Sequence, residues 1–417
     1  RILLLLDMSS NTQKSFLPTK TLCNVVSVMT LACDDCPENS WYLLLSNKLS
    51  TVVDLLAHHI TALCATIAEK KNNEKDVGRS GDSFLASVQR LLSTAIHSLI
   101  KPEHTENKFS PVGLDHNVSA QRVTDLISYI VCSGIVDNLQ TCFNCVGGPS
   151  DNDQVTSTFI LESLELLCAI ARYFSFRLND VFNDKRDDAS QYMITVKHTG
   201  LVGVISLLYS VLLRDGLRVP SKIPEQLSDE MDAMATKGLR FLNFLATVDL
   251  ALVQSSLGCE GVSLQFRHIV GHTLRICSAE KNYELLHEVI LIIGYFTVLN
   301  TDNQVFVQSG RPPTLLQKLC SLPFQYFSNP RLRNILFPTL ICSCYQNEQN
   351  KDILEQEVSC ALLNNYLEDQ SLDFQQEKLG CSSQPFLDEM STRIQLPRRF
   401  PVKHWKEAQE FLQCPKS

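Results

Sequence analysis

The chain has 417 residues, 44% hydrophobic and 20% charged, which is ordinary globular composition and supplies enough apolar surface for one extended core or several compact ones. A formal net charge of -8 excludes a uniformly basic nucleic-acid binder and confines any contact with phosphates to local patches. The longest apolar runs, Leu201 to Leu213 and Val289 to Leu299, fall well short of the roughly 20 residues that span a bilayer, so both read as buried helices.

The chain starts at Arg1 without an initiator methionine, and the expectation is a segment of a longer polypeptide. Ile2 to Leu6 is too short for a signal-peptide core. The expected location is therefore cytoplasmic, at most on the cytosolic face of a membrane. Sixteen cysteines are scattered through helical patterns in a large chain, so they are expected to be thiols in a reducing compartment, and the sequon Asn117-Val118-Ser119 is expected to stay unglycosylated. Apolar residues recur at helical spacing, as in Ile160, Leu164, Leu167, Cys168, Ala171 and Phe174, whereas period-two alternation does not persist. Polar interruptions at Glu69 to Ser83, Lys101 to Ala120, Gly147 to Gln154, Asn179 to Ser190, Asp215 to Asp229 and Glu368 to Arg393 read as loops between helices. They mark out an N-terminal helical region over 1–146, central repeats over 147–367, and a C-terminal loop with a capping helix over 368–417.

The segment from Leu291 to Leu322 is the most informative. An apolar helix ends at Val298-Leu299-Asn300; Thr301 and Gln304 have capping-box spacing; Gly310 can supply a left-handed turn; Pro312 and Pro313 are placed to open a helix with the stripe Leu315, Leu316, Leu319. Short helix, glycine turn and longer helix resemble one armadillo repeat. Glycine turns recur at Ser133-Gly134-Ile135 and Thr199-Gly200-Leu201, and Asn347 to Asn350 echoes Asn300 to Asn303 at a period of 47 residues, within the ~40 to 47 of armadillo and HEAT units. The expected fold is an all-α armadillo/HEAT-like helical solenoid. Phe241-Leu242-Asn243-Phe244-Leu245-Ala246 is similar to the third armadillo helix with its inward asparagine, but Gly294 and Ser343 stand at the matching later places. Capture of an extended peptide by an asparagine ladder is therefore not expected.

Three longer strings, Leu164 to Phe174, His287 to Thr301 and Phe400 to Lys406, resemble the C-terminal helical region of the SCAPER family, the S-phase cyclin A-associated proteins of the endoplasmic reticulum. That resemblance implies a ribosome-associated adaptor linking a nascent-chain-recognising tetratricopeptide-repeat factor to the mRNA deadenylase complex in tubulin mRNA autoregulation, with cyclin A as a further partner. The alternative is a purely structural helical domain within a longer cell-cycle or endoplasmic-reticulum-associated protein.

The chain carries no phosphate-binding, dinucleotide or nucleophile-elbow signature, so it is expected to be neither an enzyme nor a cofactor binder. Cys33-x-x-Cys36 and Cys142-x-x-Cys145 have zinc-knuckle spacing within each pair but lie too far apart to pair as knuckles, and His268 and His272 lack the glutamate of a metalloprotease helix. No metal or small-molecule substrate is expected. The remaining signals are charges. Arg267, His268, His272 and Arg275 gather on neighbouring helical turns, and Arg398, Arg399, Lys403, Trp405 and Lys406, with His404 among them, combine cations with a ring that could stack on a base. Both sets are candidate contacts with RNA or the ribosome. Candidate protein contacts are Asp229, Glu230 and Asp232 at a helix start, and Asp180, Asp184, Asp187 and Asp188 in a loop.

Overall fold

The computed structural model describes residues 19–34, 36–70, 80–100, 116–144, 154–177, 181–182, 200–213, 227–280, 283–378 and 389–413. Among these residues every regular element is a helix and there is no strand. The chain is all-α, as its periodicity requires.

Two compact units divide it. The first holds α1 (Thr19–Cys33), α2 (Pro37–Leu45), α3 (Lys48–Lys70), α4 (Ser80–Ile100), α5 (His116–Cys132), α6 (Ile135–Asn144), α7 (Gln154–Arg177) and α8 (Leu201–Leu213), and it takes α9 (Asp229–Val248) up to Phe241. The second runs from Leu242 through α10 (Leu250–Gly258), α11 (Val262–Glu280), α12 (Tyr283–Thr297), α13 (Thr301–Gln308), α14 (Leu315–Cys320), α15 (Gln325–Ser328), α16 (Pro330–Cys344), α17 (Glu348–Glu357), α18 (Cys360–Lys378), α19 (Glu389–Arg393), α20 (Leu396–Arg399), a 3-10 turn at Val402–His404, and α21 (Trp405–Gln413). This boundary differs from the segments 1–146, 147–367 and 368–417 because polar loops mark where helices stop, whereas packing decides which helices belong together. Glu368 to Lys378, grouped with a loop by its polarity, continues α18. Likewise Ser80 to Ser83 open α4.

In the first unit α4 is the central element, packed against α1, α3 and α7. Leu91, Leu92, Ala95 and Ile96 are fully buried at i, i+1, i+4 and i+5, a stripe that makes the helix amphipathic. Each such leucine or isoleucine contributes about 1.5 to 3 kcal/mol of burial free energy. Polar pairs fix the register of α4 on α7: Gln89 donates to the Ser163 hydroxyl at 2.9 Å, and Arg90 donates to Glu162 at 2.6 Å. Gly134, at φ +75°, turns α5 into α6, which is the role its sequence context predicts.

The second unit is built by recurrence. Asn300 caps α13 by accepting from the Asn303 N–H at 3.1 Å, and Asn347 caps α17 by accepting from the Asn350 N–H at 3.0 Å. The Asn303 amide donates to the Phe296 and Gln254 carbonyls; the Asn350 amide donates to those of Ser343 and Gln304. Gln254 then donates to the Tyr295 and Val298 carbonyls, and Gln304 to those of Cys342 and Tyr345. All but the glutamines are shifted by the 47-residue period. Even the backbone repeats: Leu299 (φ 52°) and Gln346 (φ 62°) occupy the left-handed position between one helix and the next cap. These side chains satisfy the carbonyls that α12 and α16 leave open at their ends. Asn300 therefore takes the capping role that the sequence placed on Thr301, which opens the helix instead. Pro312 and Pro313 likewise precede α14 without entering it; Thr314 caps it, and Gln317 completes a capping box. Gly310, at φ +108°, makes the expected turn.

The C-terminal segment closes this unit from its own end. Ile394, Leu396, Phe400, Trp405 and Leu412 are all buried. Arg399 is 1% exposed, with its guanidinium donating to the Ile335 carbonyl at 2.7 Å, to the Asn334 carbonyl at 3.4 Å and to the Thr339 hydroxyl. Pro338 lies inside α16 and has no N–H for the Asn334 carbonyl four residues back. Arg399 supplies the missing donor.

Candidate functional site

The basic set on α11 divides when its contacts are followed. Arg267 is half-buried: its guanidinium lies 4.1 Å from the Phe306 ring centre and donates to the Phe306 carbonyl at 3.1 Å and the Ser309 hydroxyl at 2.5 Å. It holds the C-terminal end of α13, where open carbonyls favour a cation, and is only partly available to a partner. His268 and Arg275 are exposed, and His272 between them is half-buried.

Lys318 joins this face from α14, donating to the Gly271 carbonyl at 3.3 Å. Arg275 lies 3.2 Å from Nδ1 of His272. Burial, with Arg275 and Lys318 adding repulsion, pushes the His272 pKa down to about 4, so the ring is neutral at pH 7 and can accept from Arg275. Lys318 is itself lowered, first by burial and then by Arg275. Among the described residues no carboxylate lies within ion-pair distance of Arg275 or Lys318. On this face Arg275 and Lys318 thus carry positive charge that no carboxylate among the described residues offsets by an ion pair. Lys318 escaped the sequence reading because its neighbours Leu315, Leu316 and Leu319 present an ordinary apolar stripe, and only the pairing of α11 with α14 brings its ammonium beside Arg275.

The second basic set is partly drawn into the core. Arg399 is inside the protein, where burial lowers its pKa from the usual guanidinium value, and it cannot touch RNA. Trp405 is 4% exposed; its ring packs on Phe374 with centres 5.5 Å apart, and its indole N–H donates to the Phe400 carbonyl at 3.1 Å. No face of that ring is open to a base. Lys403 and Lys406 are exposed, Arg398 is half-buried, and His404 meets Glu407 at 3.1 Å. What remains is a modest rim of cations.

Asp229 and Glu230 are exposed in the first turn of α9, with Asp232 half-buried, a placement that the helix dipole favours. Asp180, Asp184, Asp187 and Asp188 lie outside the described residues. Cys33 and Cys36 flank the α1–α2 turn, Cys142 sits against Cys64, and Cys145 lies outside the described residues. Among the described residues no group of three or more His, Cys, Asp or Glu is arranged to hold a metal.

Asn243, the one residue at the armadillo asparagine position, is 1% exposed and donates to the carboxylate and the carbonyl of Glu288 at 2.7 and 2.9 Å. Arg393 grips the same carboxylate at 2.7 and 2.9 Å while its guanidinium lies 4.7 Å from the Phe244 ring centre. At the next position a Cβ on Gly294 would sit 2.7 Å from the Arg399 guanidinium, and at the third Ser343 meets Thr297 at 3.3 Å. Two arginines of the C-terminal segment thus reach two of these three places, Arg393 through the Glu288 carboxylate beside Asn243 and Arg399 against Gly294. Neither Glu288 nor Arg393 was legible as a site residue, because their pairing spans 105 residues of sequence.

Recurrent caps and an all-helical core define the class among the described residues: an all-α helical protein. Over 95% of its length the chain is 37% identical to S phase cyclin A-associated protein in the endoplasmic reticulum from Homo sapiens. The chain is similar to a region of that protein and spans 29% of its length. No protein-family model matches the chain. Among the described residues no single helix is long and apolar enough to cross a membrane, although the bent pair Ala120–Cys132 and Ile135–Asn144 passes by length and composition together.

Proposed function

We propose that this chain is a non-catalytic adaptor domain, built as an armadillo-like solenoid and working by surface complementarity. The observation that carries the reading is the 47-residue recurrence of the Asn300–Asn303 and Asn347–Asn350 networks, which is how a repeat array stacks one unit on the next. Extended helical arrays of this kind offer large faces and few pockets. The human relative's name supports cyclin A as a partner and the endoplasmic reticulum as a location; the cytosolic face is part of the proposal. The resemblance in sequence extends the proposal to a ribosome-associated role, in which the domain joins a tetratricopeptide-repeat factor to the deadenylase complex in tubulin mRNA autoregulation.

Within that role, His268, Arg275 and Lys318 form the face that meets a phosphate-bearing partner such as ribosomal RNA. Phosphate contacts release counterions, so association of the purified chain with ribosomes in co-sedimentation is expected to weaken steeply as salt rises. Arg275→Glu combined with Lys318→Glu is expected to reduce the co-sedimenting fraction severalfold and to flatten the salt dependence. Helical content should hold, while loss of the Lys318 hydrogen bond to the Gly271 carbonyl is expected to lower the melting temperature only modestly. Association unchanged by the double reversal would remove the basic face from the proposal. Arg393 and Arg399 at the asparagine-ladder places favour a second reading, a rigid spacer within a longer protein; failure of the chain to bind ribosomes or cyclin A at any salt would select it.

A further inference from the structure

The side of the first unit where α3 meets α6 carries polar contacts along α3. Asp54 accepts from the Tyr129 hydroxyl of α5, Thr61 accepts from the Asn138 amide at 3.1 Å, and one turn on the Cys64 thiol reaches the Asn138 carbonyl at 3.4 Å. There Cys64 Sγ stands 3.7 Å from Cys142 Sγ, two thiols from different helices separated by 78 residues of chain. We propose that Cys64 and Cys142 are a modification site, a thiol pair that a peroxide oxidises to a reversible disulfide stapling α3 to α6.

The geometry supplies what the reaction needs. A disulfide requires the sulfurs to close from 3.7 Å to about 2.05 Å, the movement that the proposal asks of the two side chains. Cys64 is half-buried, so a small oxidant reaches it, whereas Cys142 is 6% exposed and waits behind it. The Cys64 thiol is also the more acidic kind: the hydrogen bond from Cys142 pulls its pKa down, against burial that raises it. Burial pushes Cys320, Cys342 and Cys360 up to about 12, and holds Cys33 and Cys344 above the usual thiol value as well. Those thiols stay protonated and slow to react.

The Cys64 thiolate attacks one peroxide oxygen, the O–O bond breaks, and Cys64 becomes a sulfenic acid as hydroxide leaves. Hydroxide takes the Cys142 proton to give water. The Cys142 thiolate then attacks the Cys64 sulfur, forming the S–S bond and expelling the sulfenic oxygen as a second water on protonation. Two thiols and one hydrogen peroxide become one disulfide and two waters, and a dithiol reductant reverses the change.

The test uses the whole reduced chain, exposed briefly to hydrogen peroxide, blocked with N-ethylmaleimide and mapped by mass spectrometry after proteolysis without reductant. The expected result is a peptide pair joined through Cys64 and Cys142 as the first cross-link formed, removed by dithiothreitol, together with a melting temperature several degrees higher than that of the reduced chain. Cys64→Ser should abolish both the cross-link and the rise in melting temperature. Recovery of Cys64 and Cys142 as two maleimide adducts while other cysteines oxidise, or of Cys64 as sulfinic acid without the cross-link, would overturn the proposal. The mapping on the unaltered chain decides the matter whether or not the variant folds.

Discussion

At the scale of single residues, the second unit shows how one proline fixes the identity of residues far from it. Pro338 leaves the Asn334 carbonyl without its helical donor, Arg399 fills the gap, and the arginine needs room to enter. Gly294 provides that room, since a Cβ there would lie 2.7 Å from the guanidinium and 2.8 Å from the Thr339 hydroxyl. Arg399 cannot simply move aside, because it is buried and its hydrogen bonds replace those of the helix. Gly294→Ala is therefore expected to destabilise the chain by about 1 to 3 kcal/mol, the usual cost of overpacking a core, even though alanine is the better helix former. Urea denaturation measures this directly. A variant as stable as the parent would mean that Arg399 has another route to the same carbonyl. Glu288 obeys a related logic: its buried carboxylate is tolerable because Asn243 and Arg393 both donate to it.

At the scale of elements, the caps that join successive helices carry the repeat, and they offer a test of equivalence. Asn303 and Asn350 each donate to two carbonyls, one from the helix just ended and one from the preceding repeat. Asn303→Ala and Asn350→Ala should each leave buried carbonyls unpaired and cost about 1 to 3 kcal/mol. Similar losses in both, read from denaturant midpoints, are expected; a cost confined to one would deny that the two junctions do the same job. Much of this was legible in sequence, because helix caps are local: Asn300 to Asn303 and Asn347 to Asn350 stand out as a polar break at a fixed period, and Gly134 and Gly310 announce their turns. The capping residue was misplaced by one because Thr301 and Gln304 satisfy the same spacing rule as Asn300 and Asn303. What sequence could not show is long-range. Lys318 beside Arg275, Arg393 on Glu288 and Cys64 against Cys142 depend on which helices pack together, and no periodicity encodes that. Basic clustering alone likewise could not distinguish Arg275, which faces solvent, from Arg399, which completes a helix.

At the scale of the whole molecule, a net charge of -8 coexists with buried and half-buried bases whose titration sets the response to acid. His272 and His287, both in the second unit, have pKa values pushed down to about 4. For His287 the main cause is burial; Arg331 adds to the lowering, while Glu288 and Glu284 oppose it, and the ring packs at 6.0 Å on Tyr326. In the unfolded chain both imidazoles titrate near 6.5. The folded state thus binds fewer protons than the unfolded state between pH 6.5 and about 4, and stability must fall as pH is lowered through that window. The stabilisation is complete above pH 6.5 and is lost progressively down to about pH 4. Carboxylates act lower: Glu165, held below the usual value by Lys237, His97 and Arg240 against the opposing effect of burial, adds its loss of stability only as pH falls below about 4.5. Denaturant midpoints are therefore expected to decline already between pH 7 and pH 5, before carboxylates titrate. His287→Gln removes one titrating imidazole from the unfolded chain and should flatten that part of the curve, whatever it does to stability at pH 7. A slope between pH 7 and pH 5 that the variant leaves unchanged would mean that His287 takes up its proton in the folded chain as readily as in the unfolded one, and that its surroundings are wetter than its packing against Tyr326 implies.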